Sequence, residues 1–134
     1  MSTLKAGVVL LNLKNHKIGL IYREKQNDYT FPKGHLEKGE TLQECAIRET
    51  AEETKRDCVL LYEDPIGIIT YQTPQGEECK TYMYLAQDTG HSDNTSPEVH
   101  DLKWVSWNSV EKKLTYDNLK TFWNNIKDSV KEQI

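Results

Sequence analysis

The stretch from Gly34 to Lys55, GHLEKGETLQECAIRETAEETK, constrains this chain more than any other segment. Gly34 and Gly39 punctuate a loop, and Thr41 with Glu44 forms a capping box that starts a helix. That helix then carries Glu49, Glu52 and Glu53. At roughly 100° per residue the three carboxylates project within a sector of about 100°. Ala46, Ile47, Thr50, Ala51 and Thr54 fall on the opposite side, where they can pack on a sheet. Like charges at i,i+3 and i,i+4 repel by roughly a few tenths of a kcal/mol per pair, and the C-terminal half of a helix disfavours anions. A sequence that accepts both penalties implies a compensating cation. Hard carboxylate oxygens with no histidine or thiol beside them favour magnesium, or manganese in its place, over zinc. For the triplet taken alone, a solvated acidic face is the plain alternative.

The segments around this helix alternate in character. Leu4–Leu13 and Lys17–Arg23 are β-rich runs joined by an Asn15-His16 turn, and Asp28–Gly39 reads as a loop. After the helix, predicted over Thr41–Lys55, strand-like runs follow at Cys58–Tyr62, Ile66–Thr73 and Lys80–Gln87. Asp88–Pro97 is a polar loop, Leu102–Val105 a short strand, and Asn108 with Glu111 is placed to cap a helical turn. Leu119, Phe122, Trp123, Ile126 and Val130 form the stripe of an amphipathic helix that packs on a sheet. Strands interleaved with two separated helices predict an α/β sandwich around a mixed sheet, with all 134 residues in one domain.

Twenty-one acids against seventeen lysines and arginines give a net charge of −4. That excludes a general nucleic-acid binder, which needs a basic face. A small nucleotide substrate stays open, because a bound divalent metal reverses the local sign. Cys45, Cys58 and Cys79 form no CxxC pair and read as free thiols, which points to a cytoplasmic protein. The apolar run Ala6–Leu13 lacks the pattern of a signal peptide, and no segment approaches the roughly 20 apolar residues of a membrane span. A monomer or homodimer without membrane partners is expected.

Gly34, Glu40, Arg48, Glu49, Glu52 and Glu53 stand in the spacing G-x₅-E-x₇-R-E-x-x-E-E. Six specified positions match by accident in about one window in ten million at average residue usage. The pattern resembles the signature of the Nudix hydrolases, metal-dependent enzymes that cleave a nucleoside diphosphate linked to another group. The resemblance implies an α/β/α sandwich with a central mixed sheet. It implies that Glu49, Glu52 and Glu53 bind magnesium, joined by the Lys33 carbonyl, that Glu52, Arg48 and Glu98 take part in catalysis, and that one of the carboxylates serves as the base toward water attacking phosphorus. Arg48 would orient Glu49, Glu40 would fix the loop to the helix start, and Gly34 would let backbone approach the metal. Glu98, in SPEVHDLKWVSW, lies where the family draws a further ligand or base. Thr50, Lys55 and Arg56 depart from the family's aliphatic, glycine and aliphatic residues, so an altered helix exit is expected.

YTFPKGHLEKGE, CKTYMYLAQ, and EVHDLKW followed by LTY are similar to the branch of asymmetric diadenosine tetraphosphate hydrolases. That likeness implies phosphate contacts from Lys33 and His35, with Lys80 bordering the same cleft. It also implies adenine stacking on Tyr29, Tyr82 or Tyr84. A nucleoside triphosphate, an RNA 5′ end and a nucleotide sugar are the alternative substrates. A nucleotide-sensing domain without turnover is the alternative of another class. His16, His91 and His100 have no metal-binding spacing, and Cys45, beside carboxylates, is a poor nucleophile.

Overall fold

A computed structural model describes residues 3–134. The strands are β1 (Thr3–Asn12), β2 (Lys17–Arg23), β3 (Asp28–Thr30), β4 (Lys33–His35), β5 (Arg56–Leu60), β6 (Gly67–Gln72), β7 (Glu78–His91) and β8 (Asp101–Ser106). The helices are α1 (Leu42–Thr54), the short α2 (Val110–Lys113), which follows a 3₁₀ turn at Trp107–Ser109, and α3 (Asp117–Lys131).

β1 and β7 run parallel through nine residue pairs, from Thr3↔Cys79 to Leu11↔Gln87, and every other pairing is antiparallel. The sheet is therefore mixed, as its interleaved helices require. Each central strand divides its outer edge between two partners. β1 pairs β4 at Lys5–Gly7 and β2 at Leu10–Asn12, while β7 pairs β6 at its start and β5 at its end. The edge of β1 thus splays open near Val8, whose N–H donates to the Pro32 carbonyl at 3.1 Å. Gly7 permits that approach, because a Cβ there would lie 2.2 Å from the Pro32 oxygen.

Strand alternation sorts the core into two layers. Ala6, Val8 and Leu10 of β1 and Tyr84 and Ala86 of β7 pack under α1 with Cys45 and Ala46. Val9, Leu11, Met83 and Leu85 face the other way, against Leu119, Phe122, Trp123, Ile126 and Val130 of α3. A strand covered on both faces reads as an unbroken apolar run, which explains the composition of β1. The α/β/α sandwich and the α3 stripe follow the sequence expectation.

Several boundaries differ. β7 continues to His91, so the polar loop begins at Ser92 rather than at Asp88. The predicted loop at Asp28–Gly39 contains β3 and β4. Asn108 lies within the 3₁₀ turn and caps nothing, and α2 starts without a side-chain cap. No helix among the described residues is long and apolar enough to cross a membrane.

Candidate active site

The start of α1 is fixed by the predicted capping box: Thr41 Oγ1 accepts from Glu44 N at 3.0 Å, and Thr41 N donates to Glu44 Oε1 at 2.9 Å. One turn on, Arg48 gathers the acids. Its Nε and Nη2 donate to the two oxygens of Glu40 at 2.6 and 3.0 Å, and its Nη1 reaches Glu49 at 3.2 Å and Glu52 at 3.1 Å. Nη2 also donates to the His35 carbonyl at 2.9 Å, which ties β4 to the helix. The carboxylates around it hold the guanidinium protonated, and Arg48 in turn holds Glu40 below the usual carboxylate range.

Glu49 lies against the backbone of β4. A Cβ on Gly34 would sit 1.7 Å from Glu49 Oε2, so the carboxylate occupies the space that only glycine leaves. Glu53 Oε1 accepts from Lys33 N at 2.9 Å, and His100 Nε2 stands 3.9 Å from Glu53 Oε2. Carboxylate oxygens of Glu49, Glu52 and Glu98 lie within 4.8 Å of one another. Burial pushes Glu49 and Glu53 up to about 7, a cost that a bound cation removes. Three hard-oxygen donors in one cleft, two of them carboxylates from one helix, fit a divalent cation of the magnesium or manganese type. The converging set exchanges one expected member: Glu98 joins Glu49 and Glu52, while Glu53 lines the same cleft but is engaged by the Lys33 amide.

The three motif departures have structural places. Thr50 is buried, and its hydroxyl returns to the Ala46 carbonyl at 2.8 Å. Arg56 forms a two-pronged pair with Asp88 at 2.8 and 2.7 Å, linking β5 to β7. Lys55 adopts φ 58°, ψ 32° at the helix end, so the expected altered exit is not found: the exit is left-handed with a lysine in place of glycine. That conformation costs a residue with a Cβ roughly 1–2 kcal/mol.

The acidic cleft has a volume of about 480 Å³, and a second cleft of about 430 Å³ adjoins it. Lys5, Arg23 and Lys33 line both. The second is further lined by Thr30, Ile69, Tyr71, Thr81, Tyr116, Asn118 and Leu119. Lys5 Nζ donates to the Tyr71 hydroxyl at 3.2 Å. Arg23 is braced by the buried Asp28 at 2.8 and 2.6 Å, and the Tyr116 hydroxyl donates to the same carboxylate at 2.6 Å. Burial, with Arg23 and Lys5 nearby, pushes Lys33 down to about 8. Thr81 Oγ1 is buried without a hydrogen-bond partner.

The expected substrate contacts divide by strand face. Lys33 and His35 line the acidic cleft, although partial burial and Lys5 hold the His35 imidazole below its usual value. Lys80, Tyr82 and Tyr84 are placed elsewhere. Along β7 they alternate with Thr81, Met83 and Leu85, which puts them on the α1 face of the sheet. Tyr84 is 2% exposed in the core, Tyr82 packs against that same core, and Lys80 pairs with Glu78 at 3.6 Å. Tyr29 likewise alternates with the cleft residue Thr30, and its ring meets Tyr22 and the Lys113 ammonium instead. Lys5, Arg23, Tyr71, Thr81 and Tyr116 are the cleft residues that sequence reasoning missed. Tyr116, the last residue of the LTY triplet, and Thr81, within CKTYMYLAQ, had a signal.

The family described as NUDIX domain matches this chain over residues 1–124. The chain belongs to the Nudix hydrolase family. This Nudix chain is 33% identical over 100 residues to an 8-oxo-(d)GTP phosphatase of Mycolicibacterium smegmatis, a match covering 75% of this chain and 30% of that protein. The chain thus spans under a third of that relative's length. It is 29% identical over 143 residues to an RNA pyrophosphohydrolase of Pelagibacter ubique, covering 94% of this chain and 89% of that one. Its fold is similar to that of an Ap4A hydrolase of C. elegans, with a TM-score of 0.74 at 24% identity over 98% of this chain and 99% of the other.

Proposed function

We propose that this Nudix chain is a magnesium-dependent pyrophosphohydrolase of nucleotides, and that dinucleoside polyphosphates such as diadenosine tetraphosphate are its preferred substrates. The observation that carries the substrate choice is the row of Lys5, Arg23 and Lys33 along the boundary of two clefts. A substrate with a phosphate chain between two nucleosides needs cations midway and an apolar seat beyond them. The second cleft offers Ile69, Tyr71, Tyr116 and Leu119 for a base.

Glu49, Glu52 and Glu98 are the residues to hold magnesium, with Glu53 and the Lys33 backbone beside them. When bound, the ion supplies charge neutralisation on the diphosphate oxygens and a lowered pKa for water. Arg48 holds Glu49 and Glu52 in place through Nη1. Glu52 takes the proton of the attacking water, since its side chain is more open to the cleft than that of Glu49, 19% against 9% exposed. As the new P–O bond forms, the anhydride P–O bond breaks. Charge collecting on the leaving phosphate is met by Lys5, Arg23 and Lys33.

A second reading has support of its own, because the relatives at 33% and 29% identity are named for 8-oxo-(d)GTP and RNA. Phosphate release from diadenosine tetraphosphate, deoxynucleoside triphosphates, a nucleotide sugar and 5′-triphosphorylated RNA, with and without magnesium, separates them. The highest kcat/KM on the dinucleoside supports the proposal, and the highest value on another member replaces the substrate. Tight binding with no turnover of any member makes the chain a nucleotide sensor.

A further inference from the structure

Lys55 is a non-glycine residue at positive φ, and two others, His16 and Asn27, sit in turns. Lys55 instead ends α1, and three bonds from it fix its surroundings. Its N–H donates to the Ala51 carbonyl at 3.0 Å, its carbonyl accepts from Ser92 N at 2.9 Å, and its ammonium donates to the Ser96 carbonyl. One residue therefore holds both ends of the segment 92–96. Within that segment Asn94 N donates to Ser92 Oγ at 3.1 Å and Ser96 N to Asn94 Oδ1 at 2.8 Å. Glu98 N then donates to Ser96 Oγ at 3.2 Å, and His100 N returns to the Glu53 carbonyl at 2.8 Å. A continuous path of hydrogen bonds runs from the end of α1 to Glu98, and Ser96 itself borders the acidic cleft.

A glycine at position 55 could make every backbone bond of this path without strain at positive φ. It could not make the ammonium bond. We infer that Lys55 is a positioning residue, whose ammonium holds Ser96 so that the Glu98 carboxylate meets Glu49 and Glu52. The inference rests on the reading of Glu98 as part of the metal-holding set.

Charge and position make opposite demands here. By Coulomb's law alone, removing a cation near an acidic cleft tightens the binding of a divalent ion. Loss of a positioning bond weakens it, typically by ten- to a hundredfold for a residue that orients a ligand. The experiment compares Lys55→Gly, Lys55→Arg, Glu98→Gln and the Lys55→Gly, Glu98→Gln double variant. The readouts are Mn²⁺ titration, amide hydrogen exchange over residues 92–100 in metal-free protein, and melting temperature.

Lys55→Gly is expected to weaken Mn²⁺ binding about tenfold and to speed exchange in the 92–100 segment with α1 unchanged. Its melting temperature should hold or rise as the strained conformation is relieved. Lys55→Arg, which keeps a donor, should restore both affinity and protection. In the Glu98→Gln background Lys55→Gly should add less than twofold. Unchanged or tighter Mn²⁺ binding in Lys55→Gly overturns the inference, as does an equal loss in both backgrounds. If Glu98→Gln itself leaves Mn²⁺ affinity unaltered, the reading of Glu98 fails and the positioning role fails with it. If Glu98→Gln weakens binding and Lys55→Gly does not, only the positioning role fails.

Discussion

The two clefts share Lys5, Arg23 and Lys33, yet they are assembled on different plans. The acidic cleft draws most of its chemistry from a contiguous stretch: Lys33, Gly34 and His35 on β4, Glu40 in the loop, and Arg48 to Glu53 on α1. Lys5 and Arg23, from β1 and β2, and Ser96 and Glu98, from the loop before β8, come from afar. Its neighbour takes one or two residues from each of β1, β2, β3, β4, β6, β7 and α3, with Tyr116 just before α3, brought together by the splay of the sheet edge. A local site survives substitution elsewhere but fails at once when its own helix changes. A dispersed one yields by degrees. Substitutions in the acidic cleft should therefore abolish turnover, and those in its neighbour should shift preference among substrates.

The sharpest break in that comparison is Glu52→Gln. It keeps the shape of the side chain but removes a charge from the cluster and the proposed base. Turnover of every substrate is expected to fall at least a hundredfold in a magnesium-dependent phosphate-release assay. The melting temperature should stay within about 2 °C, since Glu52 is only half-buried and supports no core contact. A variant that keeps a tenth of parental activity on any substrate removes Glu52 from the chemistry.

Gly34→Ala comes next. The added methyl lands on the Glu49 carboxylate and forces it, or β4, to move. Metal affinity by titration should drop ten- to a hundredfold, and all substrates should suffer alike. A loss confined to dinucleoside polyphosphates would place Gly34 with the other cleft.

Lys33→Ala probes the shared row. Loss of one charged contact is worth about 1.5–3 kcal/mol, or roughly ten- to a hundredfold in kcat/KM. That loss should appear on dinucleoside tetraphosphates and be smaller on a short substrate such as ADP-ribose. His35→Ala should follow the same pattern more weakly, because its imidazole is held below its usual pKa and stands uncharged at neutral pH. Equal losses on both substrates would mean that the row only supports the catalytic loop.

A pH measurement sharpens the electrostatic side. Glu49 and Glu53 have folded values near 7 against an ordinary 4.5, so between those limits the folded protein binds more protons than the unfolded one. Stability of the metal-free protein should therefore decline as pH rises through that window. His35 and His100, held below their usual value by burial, act in the opposite sense within that window, and Asp28 and Glu40, held below the ordinary range, do so only at lower pH. Saturating magnesium should flatten the decline, and Glu53→Gln should reduce it without metal. Denaturant melts at half-unit pH steps give the slope, and a slope that Glu53→Gln leaves unchanged contradicts the assignment. Unperturbed glutamates would lose magnesium affinity at about pH 4.3. Burial by β4, which no helical wheel contains, moves it upward.

The same division governs what was legible beforehand. The capping box, the carboxylate triplet and Arg48 interact within a few residues on one helix, so spacing alone describes them. Glu53 illustrates the boundary: its direction around the helix was readable, but its capture by the Lys33 amide depends on where β4 lies. Lys55 shows the converse, a departure from the motif whose backbone conformation is nonetheless the one a glycine would adopt. For the dispersed cleft the decisive variable is which face of a strand a residue occupies. Period-2 alternation says that Lys80 and Thr81 face opposite ways, but not which of them meets α3.

Lys80→Ala is the mildest of these tests and bears on that point directly. Lys80 lies on the α1 side of β7, partly exposed and paired with Glu78, while Thr81 beside it lines the second cleft. An exposed pair of this kind contributes at most about 1 kcal/mol. Its removal should change kcat/KM less than twofold on dinucleoside tetraphosphate and on ADP-ribose alike. Thr81→Leu extends a longer side chain into the second cleft, so it should raise KM for the dinucleoside severalfold while sparing the shorter substrate. Steady-state kinetics on the two variants side by side reads the facing of the strand. Should Lys80→Ala prove the more selective of the two, the nucleoside seat belongs on the α1 face, and the second cleft loses its assigned occupant.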